Sequence, residues 1–234
     1  MPITVSLEKM EDRWIAYATS LPGCFASHEQ REKALAAVPQ AVRDYLDWCR
    51  WNGVAVAGVD ADAPVSVDEI VQEWFSPGGE AVNAFFAADV PALSTADQAM
   101  AAALLDWTRA DLLKAIDGLS PEILEHPVVG EWNILGIFMH TVRSDCFYLN
   151  ALDLGPDIAD MPVQEGLPAV LEWSQTHFIA ALPQMVGQER IVQKQFEVWA
   201  PRKTLRRALW HRRDHTAHIY QFREKLGISG LIDP

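Results

Sequence analysis

After "SPGGE" at residues 76–80, a break that ends one pattern and starts another, apolar residues recur at helical spacing through most of the remaining chain. Any fold must satisfy that change of period. In "STADQAMAAALLDWTRADLLKAIDGLS", Ser94 or Thr95 caps a helix that sets Leu105, Leu112, Ile116 and Leu119 on one side. In "EWNILGIFMHTVRSDCFYLNAL", Ile134, Phe138, Val142, Cys146 and Leu149 form one stripe. A third helix, in "EGLPAVLEWSQTHFIAALPQM", begins near Leu167, and a fourth runs from about Lys203 to Leu226, closed by Gly227 as a natural C-cap. Between these two lies "ERIVQKQFEVWAPRKT", too long and too β-rich for a tight turn. Four helices with one long connection predict an all-α four-helix bundle over residues 77–234.

Residues 1–76 read as a separate α+β domain. Ile3, Val5 and Leu7 alternate onto one face of "ITVSL", and "RWIAYAT" follows the polar "EKMED", which predicts a hairpin. Pro22 and Gly23 punctuate the chain. From Glu32 to Cys49, the residues Leu35, Val38, Val42, Leu46 and Cys49 recur at helical spacing, with Pro39 accommodated by a bend or by a later helix start. A strand is expected around Val65 to Val71, so the order is ββαβ.

Composition narrows the function classes. The nine tryptophans argue for a packed interior rather than disorder. A formal charge of -13 repels phosphate backbones, so no nucleic-acid partner is expected. The chain has no run of eighteen apolar residues and no signal-peptide pattern at its N-terminus, so neither a membrane span nor secretion is expected, and the cytoplasm is the predicted location. Cys24, Cys49 and Cys146 are odd in number and far apart, which reads as reduced thiols. One local patch runs against the net charge: Arg202, Lys203, Arg206, Arg207, Arg212 and Arg213 crowd the fourth helix. Its simplest reading is a solvated face; otherwise Arg212 or Arg213 steers an anionic substrate.

The same helix, in "LRRALWHRRDHTAHIYQF", carries His211, His215 and His218. At about 100 degrees per residue these fall within an arc of roughly 60 degrees. Ala208, Ile219, Phe222 and Leu226 extend that face, so the histidines interrupt the stripe expected to point inward. Imidazoles packed together in a core lose hydration, and protonated pairs repel. A divalent metal resolves the conflict, since neutral imidazole suits Zn²⁺, Ni²⁺, Cu²⁺ or Fe²⁺ and residues at i and i+4 can reach one ion. His140, on a stripe with Ile137, Ser144 and Phe147 of the second helix, offers a third ligand. His28, His126 and His177 lack such company, and Asp214 and Asp145 are candidate general bases by nearness in sequence alone.

Two resemblances bear on these readings. The hairpin running into "YATSLPGCFASHEQREKALAAVPQAVRDYL" resembles the HicB-like family, small antitoxin domains, over roughly residues 2–75; it departs at "SHEQ". That resemblance implies a protein partner for the N-terminal domain. "EWNILGIFMH" and "LWHRRDHTAHIYQFREKLG" resemble the DinB-like superfamily, four-helix bundles with a three-histidine metal site, over about residues 80–228. It implies one ligand on the second helix and two on the fourth. The pair can be His211 with His215, or Asp214 with His218; His140, His211 and His215 are favoured, with His218 as substitute. It further implies a small-molecule substrate, a low-molecular-weight thiol as co-substrate of a metal-dependent transferase or hydrolase, and a homodimer. The alternative is a non-enzymatic interaction module with the bundle as its dimerisation body.

Overall fold

A computed structural model describes residues 2–10, 12–72, 74–79, 81–127 and 132–228. Its contacts divide the chain into two compact units. The first comprises residues 1–91 with 189–206, and the second residues 92–188 with 207–234. A single cut after residue 76 therefore does not describe this division, because a later segment of chain returns to the first unit.

In the first unit, β1 (Ile3–Met10) pairs antiparallel with β2 (Arg13–Ala18) in the register Val5 to Ala18 and Glu8 to Ile15. β2 pairs antiparallel with β3 (Phe25–His28), then comes α1 (Arg31–Trp51), and β4 (Val65–Gln72) returns parallel to β1. The sheet order is β3-β2-β1-β4. This corrects the expected ββαβ order: the chain runs βββαβ. The extra strand is the segment around "SHEQ", where Ala26 opposite Ala16 and Ser27 opposite Ile15 extend the ladder of the hairpin.

Val5, Leu7 and Ile15 are buried, together with Ala34, Val38, Val42, Tyr45 and Cys49 of α1. Leu35 and Leu46, expected on that stripe, are half-buried, and Ala34 and Tyr45 take the inner positions. The helix begins at Arg31, so Pro39 lies inside it rather than forcing a later start. β5 (Trp74–Phe75) and β6 (Ala81–Val82) form a small hairpin across the "SPGGE" turn, whose Glu80 lies outside the described residues. The long connection before the last helix is a second hairpin, β7 (Val192–Lys194) with β8 (Glu197–Trp199).

The second unit holds α2 (Thr95–Ile116), a single turn α3 (Pro121–Leu124), α4 (Ile134–Asn150), α5 (Leu167–Met185) and the greater part of α6 (Pro201–Lys225). The Ser94 hydroxyl accepts from the Asp97 N–H at 3.1 Å, and the Asp97 carboxylate accepts from the Ser94 N–H at 2.8 Å, a reciprocal cap that starts α2. At the other end of the unit, Gly227 takes φ 66° and the Ile228 N–H donates to the Arg223 carbonyl at 2.8 Å, so the left-handed turn consumes a carbonyl that α6 leaves over. Leu112, Ile137, Phe138, Val142, Leu171, Ile219 and Phe222 meet in one core drawn from all four long helices. Among the described residues no helix is long and apolar enough to cross a membrane.

The basic patch is not a solvated face. Lys203 is fully buried and donates to the Glu197 carboxylate at 2.8 Å, while Arg206 makes two bonds to Asp89 at 2.9 and 2.7 Å, both within the first unit. In the second unit Arg212 is 0% exposed. These cations are structural. Their long apolar stems pack while each charged head meets a carboxylate, which the sequence pattern could not distinguish from a wet helix face.

Candidate metal centre

α4 starts at Asn133, whose side-chain oxygen accepts from the Gly136 N–H at 2.7 Å and whose amide donates to the Glu125 carbonyl at 3.2 Å. Gly136 has a reason to be glycine: an added Cβ would stand 3.0 Å from the capping Asn133 oxygen and 3.5 Å from the Trp132 Cβ. The helix so positioned carries His140, and the Trp132 ring meets His140 edge-on with centroids 4.5 Å apart.

α6 supplies the other rings. His211 and His215 are four residues apart, with centroids 4.2 Å apart, and His140 lies 4.8 Å from His211 and 5.2 Å from His215. The closest approaches are between the far ring nitrogens. His211 Nε2 is 3.1 Å from His140 Nε2 and 3.0 Å from His215 Nε2. His211 is buried, and the other two are half-buried.

Protons alone do not satisfy this arrangement. Each Nε2 has one in-plane position, filled either by a hydrogen or by a lone pair, so His211 Nε2 cannot bond well to two neighbours at once. A cation accepting a lone pair from each ring does satisfy it. Nitrogens held about 2.0–2.1 Å from one ion stand roughly 3 Å apart, close to the separations found. Burial, and secondarily the charge of Arg143, hold His140 below its ordinary pKa, which keeps the imidazole neutral and its lone pair available.

Among the described residues, His140, His211 and His215 form a group of three whose donor atoms lie within 4.8 Å of one another. Neither His218 nor Asp214 belongs to it. The His218 ring lies 6.1 Å from that of His215 and 5.1 Å from that of Phe222, one turn further along. Phe147, expected partly buried on the stripe of His140, is 56% exposed, and Arg143, one turn before it on the same face of α4, is exposed as well. His28 accepts from the Gln30 N–H at 2.9 Å, and His177 Nδ1 lies 2.8 Å from the Trp173 carbonyl; neither approaches the group.

Asp145 is not a general base beside these rings. It is fully buried and accepts from Arg212 Nε at 3.0 Å and from the Ser174 hydroxyl at 3.0 Å. Arg212 also donates to Gln175 Oε1 at 2.7 Å and to the Leu105 carbonyl at 3.1 Å, so it joins all four long helices and is not placed to steer a substrate. Burial pushes the Asp145 carboxyl upward, against the pull of Arg212 and Ser174. The Cys146 thiol is pushed up to about 12 by burial and the neighbouring Asp145, which makes it a poor ligand.

A cleft of about 380 Å³ reaches His140, lined by Trp132, Asn133, Gly136, His140 and Arg143. Of these, sequence reasoning passed over Arg143. The available signal was its place three residues after His140, on the same face of α4.

A family model described as the DinB superfamily matches residues 104–219. Among solved structures, the chain is similar to one described as YfiT from Bacillus subtilis, a probable metal-dependent hydrolase with an unusual four-helix bundle topology. The identity is 19%, over 58% of this chain and 91% of that one, with a TM-score of 0.48. No curated protein sequence matches. The family match ends one residue past His218, spans His140, His211 and His215, and leaves residues 1–103 and 220–234 outside it.

Proposed function

We propose that His140, His211 and His215 hold a divalent metal ion, and that the centre serves an enzyme acting on a small molecule by hydrolysis or by transfer involving a low-molecular-weight thiol. The observation that carries this reading is the approach of one imidazole nitrogen, His211 Nε2, to two others at 3.1 and 3.0 Å. Three neutral imidazoles suit zinc, nickel or iron(II) and leave positions on the ion unfilled by protein. When bound, such an ion supplies Lewis acidity. The chain's own residues do the rest. α6 keeps His211 and His215 one turn apart, Trp132 holds the His140 ring from the side, and the cleft at His140 gives a small molecule access. The DinB superfamily match spans all three histidines.

Metal analysis of untagged protein, after exposure to zinc, nickel and iron(II) and removal of excess, tests the reading. Stoichiometric metal is expected in the wild type and loss of it in His140→Ala, His211→Ala and His215→Ala. A wild type without stoichiometric metal refutes it. Turnover of small ester or amide substrates, with and without an added thiol, then separates hydrolysis from transfer.

A further inference from the structure

Arg143 stands apart from the other arginines of the second unit's core. Arg212 and Arg223 are buried and bonded to Asp145, Gln175 and main-chain carbonyls. Arg143 is exposed, and among the described residues it enters no ion pair. It lines the same cleft as His140, and its charge acts on that imidazole. Opposite chemistry comes from Trp132, which remains 54% exposed while one edge packs on His140. Large exposed indoles beside a cleft offer a flat apolar wall, and a guanidinium offers a planar pair of donors matched to a carboxylate. A volume near 380 Å³ suits a small organic molecule.

We propose that Arg143 is the specificity-determining residue of this cleft, recognising the carboxylate of a small monocarboxylate whose apolar body lies on Trp132. The proposal rests on the metal-centre reading for its place in catalysis, but not for the binding itself. A single lining cation in a chain of charge -13 favours a monoanion over a phosphate dianion, which calls for more positive charge than the lining residues provide. The guanidinium pairs with the carboxylate through two N–H donors and so orients the remainder of the molecule towards His140.

Binding of benzoate, benzamide and phenyl phosphate to the full chain tests this, read by tryptophan fluorescence and calorimetry, in zinc-loaded protein and again in protein stripped with a chelator. The wild type is expected to prefer benzoate to benzamide in both forms, and to phenyl phosphate in the stripped form, where Arg143 is the single lining cation. Arg143→Gln, with an unchanged circular dichroism spectrum and unchanged zinc content, is expected to weaken benzoate at least about tenfold and to leave benzamide unaffected. Arg143→Lys is expected to fall between, since a lysine keeps the charge but loses the paired donors. Equal benzoate affinity in Arg143→Gln and wild type overturns the proposal, as does a wild-type preference for benzamide, a preference of the stripped protein for phenyl phosphate, or no benzoate binding at all. Absence of zinc from the wild type with an Arg143-dependent benzoate preference instead removes the metal-centre reading and leaves this one standing.

Discussion

At the scale of single residues, His211 is the least replaceable of the three rings, because its Nε2 alone approaches both others within hydrogen-bonding distance. His211→Ala is therefore expected to abolish metal retention, whereas His218→Ala is expected to keep it, since the His218 ring lies against Phe222 rather than among the donors. Parallel metal analysis of the two variants checks this, and loss in His218→Ala with retention in His211→Ala would move the site by one turn. Cys146 illustrates a different residue-level rule. With its pKa pushed up to about 12 and its side chain buried, it is expected to resist alkylation by iodoacetamide in native protein at pH 8 and to react once the chain is unfolded. Mass spectrometry of the modified protein reads the outcome; rapid native labelling of Cys146 contradicts it.

At the scale of elements, the two helices that bear the histidines are joined by the pair Arg212 and Asp145, one residue past His211 on α6 and five past His140 on α4. Both side chains are fully buried, so a lone survivor would be a buried charge without its counter-ion. Arg212→Met is expected to cost roughly 3–5 kcal/mol, and the double variant Arg212→Met with Asp145→Leu to recover most of it. Urea unfolding of the three proteins measures both effects, and a single variant as stable as the wild type would show that the pair is dispensable. The cap of α4 is a smaller determinant. Asn133→Ala removes the acceptor for the Gly136 N–H and is expected to cost about 1 kcal/mol, seen in the same unfolding curves.

At the scale of the whole molecule, a metal bound only by the folded helical unit must stabilise that unit by mass action. Free zinc at a hundred times its dissociation constant is expected to add about 2.7 kcal/mol, raising the thermal midpoint of the wild type but not of His140→Ala. Equal shifts in both proteins, read by calorimetry, would place the bound zinc elsewhere. The helical unit was the more legible part of this chain. Residue pattern alone located its four long helices, narrowed the first cap to Ser94 or Thr95, and found the Gly227 terminus and the inward stripe of α6, because 3.6-residue periodicity and capping chemistry are local properties. The same locality explains what stayed hidden. The strand Phe25–His28 exists because β2 offers it a ladder, and Lys203, Arg206 and Arg212 are buried where the Asn83 carbonyl, Asp89 and Asp145 arrive from distant parts of the chain. Sequence by itself determined that three histidines share one face of a helix. Only tertiary packing decided that His140 meets His211 and His215 and not His218, since the meeting of two helices is set by how their buried surfaces and ion pairs fit, not by spacing along either one.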